Sequence, residues 1–303
     1  MFDPLSYRFP SARNVIVSSE GMVASSHPLA AQLGVRTMQK GGNAVDAAVT
    51  AAAALTIAEP TSNGIGGDCF ALVWHRNRLY GLNASGNAPM ALSLDVLHER
   101  GLTRIPETGW LPVTVPGAPA GWAALSGRFG SLPFGVLFED LIRYADRGVP
   151  VLPTVGAQWE KAYKKYTEVC EGEEFSHWFS LFAPENKAPA VGSLWHPRFF
   201  ADTFKKIASS GGDDFYRGEL AEAITRFSER TGGVLTMEDL DQYQPLWVEP
   251  ISLTYKGYDI WEIPPNGQGL TALIALGLLR EDSSETFSRS EERRVGKECA
   301  TGC

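Results

Sequence analysis

The sequence predicts an α/β protein built around an alanine-rich helix, and three observations carry that prediction. The stretch Gly41 to Phe70 reads GGNAVDAAVTAAAALTIAEPTSNGIGGDCF: a glycine exit, a capped helix, a glycine loop and the start of a strand. Two apolar runs, Cys69 to Trp74 and Leu79 to Ala84, flank the polar turn His75-Arg76-Asn77-Arg78, which is a hairpin signal. Helix-length segments then recur from Ser93 to Arg230 before two further strand-length runs.

The central helix is justified residue by residue. Gly41 lets the chain leave a preceding helix through left-handed backbone angles. Asn43 stands at the N-cap position, and Asp46 three residues on completes the pattern of a capping box. Ala44, Ala47, Ala48, Ala51, Ala52 and Leu55 put small residues on most sides, so another backbone can approach closely. The expectation is a helix pressed against a sheet, with Ala48 and Ala51 closely packed. Pro60 ends it, and Asn63-Gly64-Ile65-Gly66-Gly67 forms a tight loop. No Gly-Lys-Ser/Thr follows, so this is not a phosphate-binding P-loop. On spacing alone the stretch is scaffold.

The other elements follow in chain order. Met1 to Glu20 reads as an extended surface arm and Gly21 to Ser26 as a first strand. A helix runs from His27-Pro28 to Lys40, with its basic residues near its C-terminal end. Both hairpin strands are apolar on both faces, which predicts a sheet covered on each side. Asn83 to Pro89 leaves the hairpin as a loop. Ser93 to Glu99, Ala118 to Phe129 and Phe134 to Arg147 read as helices, and Trp159 to Trp178 as an irregular helical segment. Pro197 to Ala208 and Glu219 to Arg230 are amphipathic helices. Ile251 to Tyr255 and Tyr258 to Ile263 are strands about a Lys256-Gly257 turn, and Leu270 to Arg280 is a last apolar helix.

Composition bounds the function. A chain of 303 residues, 44% hydrophobic and 20% charged, can bury a core and is ordinary for a globular protein. A net charge of -8 and a pI near 5.2 argue against nucleic acid or an anionic membrane as partner. Lys161, Lys164 and Lys165 interleave with Tyr163 and Tyr166, but five neighbouring glutamates cancel the patch. No apolar run approaches the ~20 residues that span a bilayer. The start, MFDPLSYRFPSARN, lacks a basic region followed by an apolar core, which predicts a cytoplasmic location. Cys69, Cys170, Cys299 and Cys303 are scattered, implying neither a zinc site nor a disulfide framework, and Cys69 reads as a small core residue. His27 has no metal-ligand partner nearby in sequence and reads as a cap or packing residue. No Gly-x-Ser-x-Gly, Ser-x-x-Lys or His-Glu-x-x-His motif is present.

Several motifs occur in a fixed order. Gly41-Gly42-Asn43-Ala44-x-Asp46-Ala47-Ala48 and Glu59-Pro60-x-Ser62-x-Gly64-Ile65-Gly66-Gly67 come first. Val115-Pro116-Gly117-x-x-x-Gly121, Phe215-Tyr216-x-Gly218 and Gly232-Gly233-x-Leu235-Thr236-x-x-Asp239-Leu240 follow. Tyr255-x-Gly257-Tyr258 and Pro264-Pro265-Asn266-Gly267-Gln268-Gly269 complete the series. From about Gly21 to Leu279 the chain resembles the large subunit of gamma-glutamyltransferases, N-terminal-nucleophile hydrolases made as self-cleaving proenzymes.

The resemblance implies a four-layer α/β/β/α sandwich, truncated before the small subunit. It implies a Thr nucleophile, freed at a new N-terminus, whose own amino group serves as base. That Thr usually precedes another Thr; no Thr-Thr pair occurs in this chain, and no catalytic residue is assigned within it. No cofactor or metal is implied; the implied partners are a small amide substrate and the small subunit of the same proenzyme.

The family's substrate-carboxylate arginine stands three residues before an Ala-Pro pair. Ala88-Pro89 is retained, but the arginine position is Ser85, so the substrate-binding candidates are Ser85 with Asn83, Gly86 and Asn87. Serine cannot supply the charge of an arginine fork. The chain therefore resembles in this respect the amidohydrolase branch, which includes oxamate amidohydrolase and cephalosporin-acylase-like enzymes. A catalytically inactive structural fragment is the alternative from another class. The expected organisation is an arm over residues 1–20, one large-subunit region over 21–288 and a non-native tail over 289–303. Arg289 to Cys299, RSEERRVGKEC, reads as the translation of a sequencing adapter, a charged surface helix being the native alternative.

Overall fold

A computed structural model describes residues 16–281. Most of the predicted arm and the whole predicted tail lie outside the described residues. Within them the chain forms two compact units, one holding residues up to Cys69 together with Ala84–Leu246, the other Phe70–Asn83 and the chain from Trp247.

The first unit begins with Gly21 to Ser26, which the sequence predicts as a strand. It is irregular chain instead, with no strand partner among the described residues, and Val23 lies against Gly34 of the first helix. Helix α1 (Pro28–Gln39) starts at His27, whose Nδ1 accepts from the Leu29 amide at 3.2 Å. Helix α2 (Ala44–Ala58) carries the predicted capping box: the Asn43 side chain accepts from the Val45 and Asp46 amides, and the Asp46 carboxylate from the Asn43 amide.

Asp46 does more than cap. It is fully buried, and the oxygen that accepts from Asn43 also accepts from the amides of Ser131 at 2.9 Å and Leu132 at 3.3 Å. Asn43 reaches the same turn, donating to the Phe129 carbonyl at 2.6 Å and the Ser131 hydroxyl at 2.9 Å. Two residues of one helix cap therefore clasp a turn more than eighty residues away.

What closes on α2 is mainly helical. Its main neighbours within the unit are α1, α4 (Ala118–Phe129), the short 3-10 turn Phe134–Phe138 and α5 (Glu139–Arg147), with a lesser contact from the two-residue strand Val149–Pro150. Ala51 is buried as expected, whereas Ala48 is exposed. It lies on the helical stripe of Ala44, Ala52 and Leu55, opposite the buried Ala47, Thr50 and Ala54.

Helix α3 (Leu94–Glu99) is capped by Ser93. The predicted Phe134–Arg147 helix divides into the 3-10 turn and α5. Strand β3 (Val149–Pro150), helices α6 (Pro153–Val169) and α7 (Ser176–Phe182), and strand β4 (Leu194–Trp195) follow, with β3 and β4 antiparallel. Trp159, Phe182 and Trp195 pack their rings together here. Helices α8 (Arg198–Ser210), α9 (Asp214–Arg217), α10 (Glu219–Arg230) and α11 (Met237–Asp241) complete the unit's helices.

The second unit holds most of a three-stranded sheet, in the order of the two hairpin strands followed by a third. The hairpin strands, β1 (Cys69–His75) and β2 (Arg78–Ala84), turn through Arg76 and Asn77, whose φ values of 50° and 61° suit a two-residue hairpin loop. The third strand is β5 (Leu246–Val248). Gly81 admits it closely, since a Cβ there would sit 2.9 Å from the Val248 carbonyl oxygen.

Strands β6 (Ile251–Tyr255) and β7 (Tyr258–Glu262) pair antiparallel, and α12 (Gly269–Glu281) packs on them. The expected cover on both faces of the hairpin is not found within the described residues. Phe70, Leu72 and Trp74 alternate along β1 with exposures of 44%, 40% and 67%.

Candidate functional site

The candidate site is built where two segments of the first unit cross, residues 84–87 and 115–121. The crossing depends on three glycines. A Cβ on Gly86 would fall 1.5 Å from the Val115 carbonyl oxygen, and one on Gly117 would fall 1.8 Å from that of Ala84. One on Gly121 would meet the Cβ atoms of Cys69 and Ala84 at 2.8 and 2.9 Å. The Val115 amide donates to the Asn87 carbonyl at 2.9 Å, so the segments are also hydrogen-bonded. The Gly67 carbonyl, ending the glycine loop, accepts from the Gly117 and Ala118 amides at 3.0 and 2.9 Å. The glycine loop is thus a cap for α4.

Two tyrosines lie at this crossing. The Tyr216 hydroxyl donates to the Pro116 carbonyl at 2.6 Å and accepts from the Ala120 amide at 3.1 Å. Burial pushes its phenol well above the ordinary range, which keeps it a donor. Tyr243 stacks on Tyr216 with ring centroids 5.6 Å apart and planes at 24°. Its hydroxyl donates to the Ser85 carbonyl at 3.2 Å. Burial first, and then negative charge at Asp68 and Cys69, pushes the Tyr243 phenol up to about 12. Burial, with Asp68 second, likewise pushes the Cys69 thiol up to about 11, so it is a poor nucleophile at neutral pH.

The sequence-predicted candidates take different places. Ser85 and Gly86 are half-buried and Asn87 is exposed, all three in the first unit. Asn83 belongs to the second unit, where it is buried at the end of β2 and donates through Nδ2 to the Asn266 side-chain oxygen at 2.8 Å. That bond joins it to the Pro264–Gly269 motif. Ser85 to Asn87 contain a hydroxyl and backbone amides, and position 85 carries no charge.

Sequence reasoning missed the residues that hold this segment. Tyr216 and Asp239 stood in recognised motifs without an assigned task, and Tyr243 stood in none. Asp239 forms a capping box with Thr236, and its other oxygen accepts from the Met90 amide at 2.7 Å, just beyond Asn87 to Pro89. Among the described residues, no group of three or more His, Cys, Asp or Glu side chains could hold a metal ion.

Comparison with known proteins places this architecture. The family description gamma-glutamyltranspeptidase matches residues 30–298. The chain is 33% identical over 269 residues to the glutathione hydrolase-like YwrD proenzyme of Bacillus subtilis (strain 168), covering 87% of this chain and 49% of that protein. It is 34% identical over 271 residues to the oxamate amidohydrolase proenzyme of Klebsiella pneumoniae, covering 86% and 49% respectively. Among solved structures it superposes on cephalosporin acylase from Bacillus halodurans with a TM-score of 0.88 and 50% identity, over 95% of this chain and 54% of the other. The chain therefore spans about half the length of the curated relatives it matches. The α/β class expected from the sequence holds, and the fold is that of the N-terminal-nucleophile hydrolases. A capped alanine helix, a glycine-mediated crossing and the ordered motifs are all accounted for in one relationship: the chain belongs to the gamma-glutamyltranspeptidase family.

Proposed function

We propose that the whole protein is a self-cleaving proenzyme that hydrolyses or transfers an amide acyl group through an acyl-enzyme. Its nucleophile is an N-terminal Thr in sequence beyond this chain, and its partner is the small subunit released from the same precursor. The observation that carries this reading is the glycine crossing at Gly86, Gly117 and Gly121, which gives a structural task to the family's motifs around residues 115–121. In this reading the Thr and the oxyanion donors belong to sequence outside this chain.

Ser85 favours a second, narrower reading, that the acyl donor is a small non-glutamyl amide. At this position an arginine would clamp an amino-acid carboxylate, whereas a hydroxyl and two amides suit a neutral or short-chain acyl group. The 50% identity to a cephalosporin acylase supports the same direction. A cytoplasmic location belongs to the proposal; among the described residues no helix is long and apolar enough to cross a membrane.

The test begins with the gene beyond Ser288, where a Thr-Thr codon pair is expected. The full-length product should cleave itself into two polypeptides and hydrolyse a small amide, while the 303-residue chain alone does neither. A full-length product that neither self-cleaves nor turns over any amide would overturn the reading and favour an inactive structural protein.

A further inference from the structure

We propose that Tyr243 is a positioning residue for the substrate-binding segment, setting the Ser85 carbonyl and so the affinity for the acyl donor. The inference rests on the function proposed above for the Ser85 loop. It starts from the motif Gly232 to Leu240, to which the proposed chemistry gives no task. That motif ends in the α11 turn, and the turn grips the loop after β2 at two points. Asp239 accepts from the Met90 amide at 2.7 Å, and Tyr243, two residues beyond α11, donates to the Ser85 carbonyl at 3.2 Å. Between the two grips lie Gly86 and Asn87, laid against Val115.

The grip at Ser85 is the one that can tune binding. The peptide unit whose oxygen Tyr243 holds also contains the Gly86 amide, one of the groups offered to the acyl donor. Rotating that peptide re-aims the amide. The phenol is held in turn by its stack on Tyr216, whose hydroxyl is fixed at both Pro116 and Ala120. A Cβ on Gly117 would stand 2.7 Å from the Tyr243 oxygen, so that glycine admits the hydroxyl to its acceptor. None of these atoms reacts. Tyr243 acts through the Ser85–Gly86 peptide.

The test is Tyr243→Phe in the processed full-length enzyme, which keeps the ring stack and removes only the hydroxyl. One net hydrogen bond corresponds to a change of roughly 3- to 10-fold. KM for the small amide should rise by that factor while kcat stays within about twofold, and hydrogen exchange at the Gly86 amide should accelerate. Asp239→Asn, at the other grip, should move the exchange of Met90 rather than that of Gly86. If Tyr243→Phe left KM and Gly86 exchange at wild-type values, or lowered kcat in step with a loss of folded protein, the assignment would fall while the proposed function stood. A wild-type enzyme with no amide turnover would remove the proposed function and this assignment together.

Discussion

Asp46→Ala should be among the most destabilising single changes in α2, although it removes only a carboxylate. In the wild-type chain one buried oxygen accepts three backbone donors, at 2.9 Å from Asn43, 2.9 Å from Ser131 and 3.3 Å from Leu132. Alanine leaves all three without that acceptor, at a position where the carboxylate is 0% exposed. Each orphaned donor costs about 1–3 kcal/mol. The donors are only part-buried, so the lower half of that range applies, giving a total of about 4 kcal/mol. At roughly 2–4 °C per kcal/mol for a chain of this size class, Tm should fall by about 8–16 °C. The assay is thermal unfolding of the chain by near- and far-ultraviolet circular dichroism, with Ala48→Ser on the exposed stripe as control. Because Asn43 holds the same turn through Phe129 and Ser131, the double variant Asn43→Ala/Asp46→Ala should lose less than the sum of the singles. A fall of under about 2 °C for Asp46→Ala, or strict additivity with Asn43→Ala, would refute the clasp.

Three further outcomes follow from the structure. Burial holds His27 below its ordinary pKa despite the opposing pull of Glu59, so its neutral form is favoured in the folded state. The stability it contributes is complete above about pH 6.5 and is lost as pH falls through the folded value. His27→Asn, a cap that does not titrate, should flatten denaturant midpoints across that acid range, and an unchanged pH profile would dismiss the cap as their source. Gly86→Ala should destabilise by about 3 kcal/mol or more, since its Cβ would meet backbone rather than a movable side chain; a urea midpoint at the wild-type value would contradict the crossing. Ser85→Arg in the full-length enzyme should shift kcat/KM toward γ-glutamyl donors, at most on the order of 10- to 100-fold. Unchanged ratios on γ-glutamyl and small amide substrates would reduce Ser85 to a turn residue.

Local chemistry was legible in the sequence, and distant geometry was not. The Asn43–Asp46 box, the Arg76–Asn77 turn and the Lys256-Gly257 turn are each written within about four residues, and each was found as expected. The strand expected at Gly21 to Ser26 has the right composition, but a strand also needs a neighbour, which composition does not encode. Ala48 and Ala51 are equally small, and only the placement of α1, α4 and α5 decides that one is buried and the other exposed. Strands β3 and β4, two residues each, carry no period to detect. At the site, Ser85 was visible as a departure from a motif. The Tyr243 hydroxyl, 158 positions away in sequence, was not, because a hydrogen bond to a backbone carbonyl leaves no mark on its acceptor's identity.

The row Phe70, Leu72 and Trp74 has a consequence for handling the polypeptide. Among the described residues β1 lies at the edge of its sheet, so the same strand presents both an apolar face and an open ladder. Those are the two features by which one molecule templates the association of the next. Yield of this chain in solution should therefore be governed by colloidal behaviour more than by folding free energy. Dilute, cold handling, or a charged residue in place of Trp74, should raise recovery without moving the melting transition.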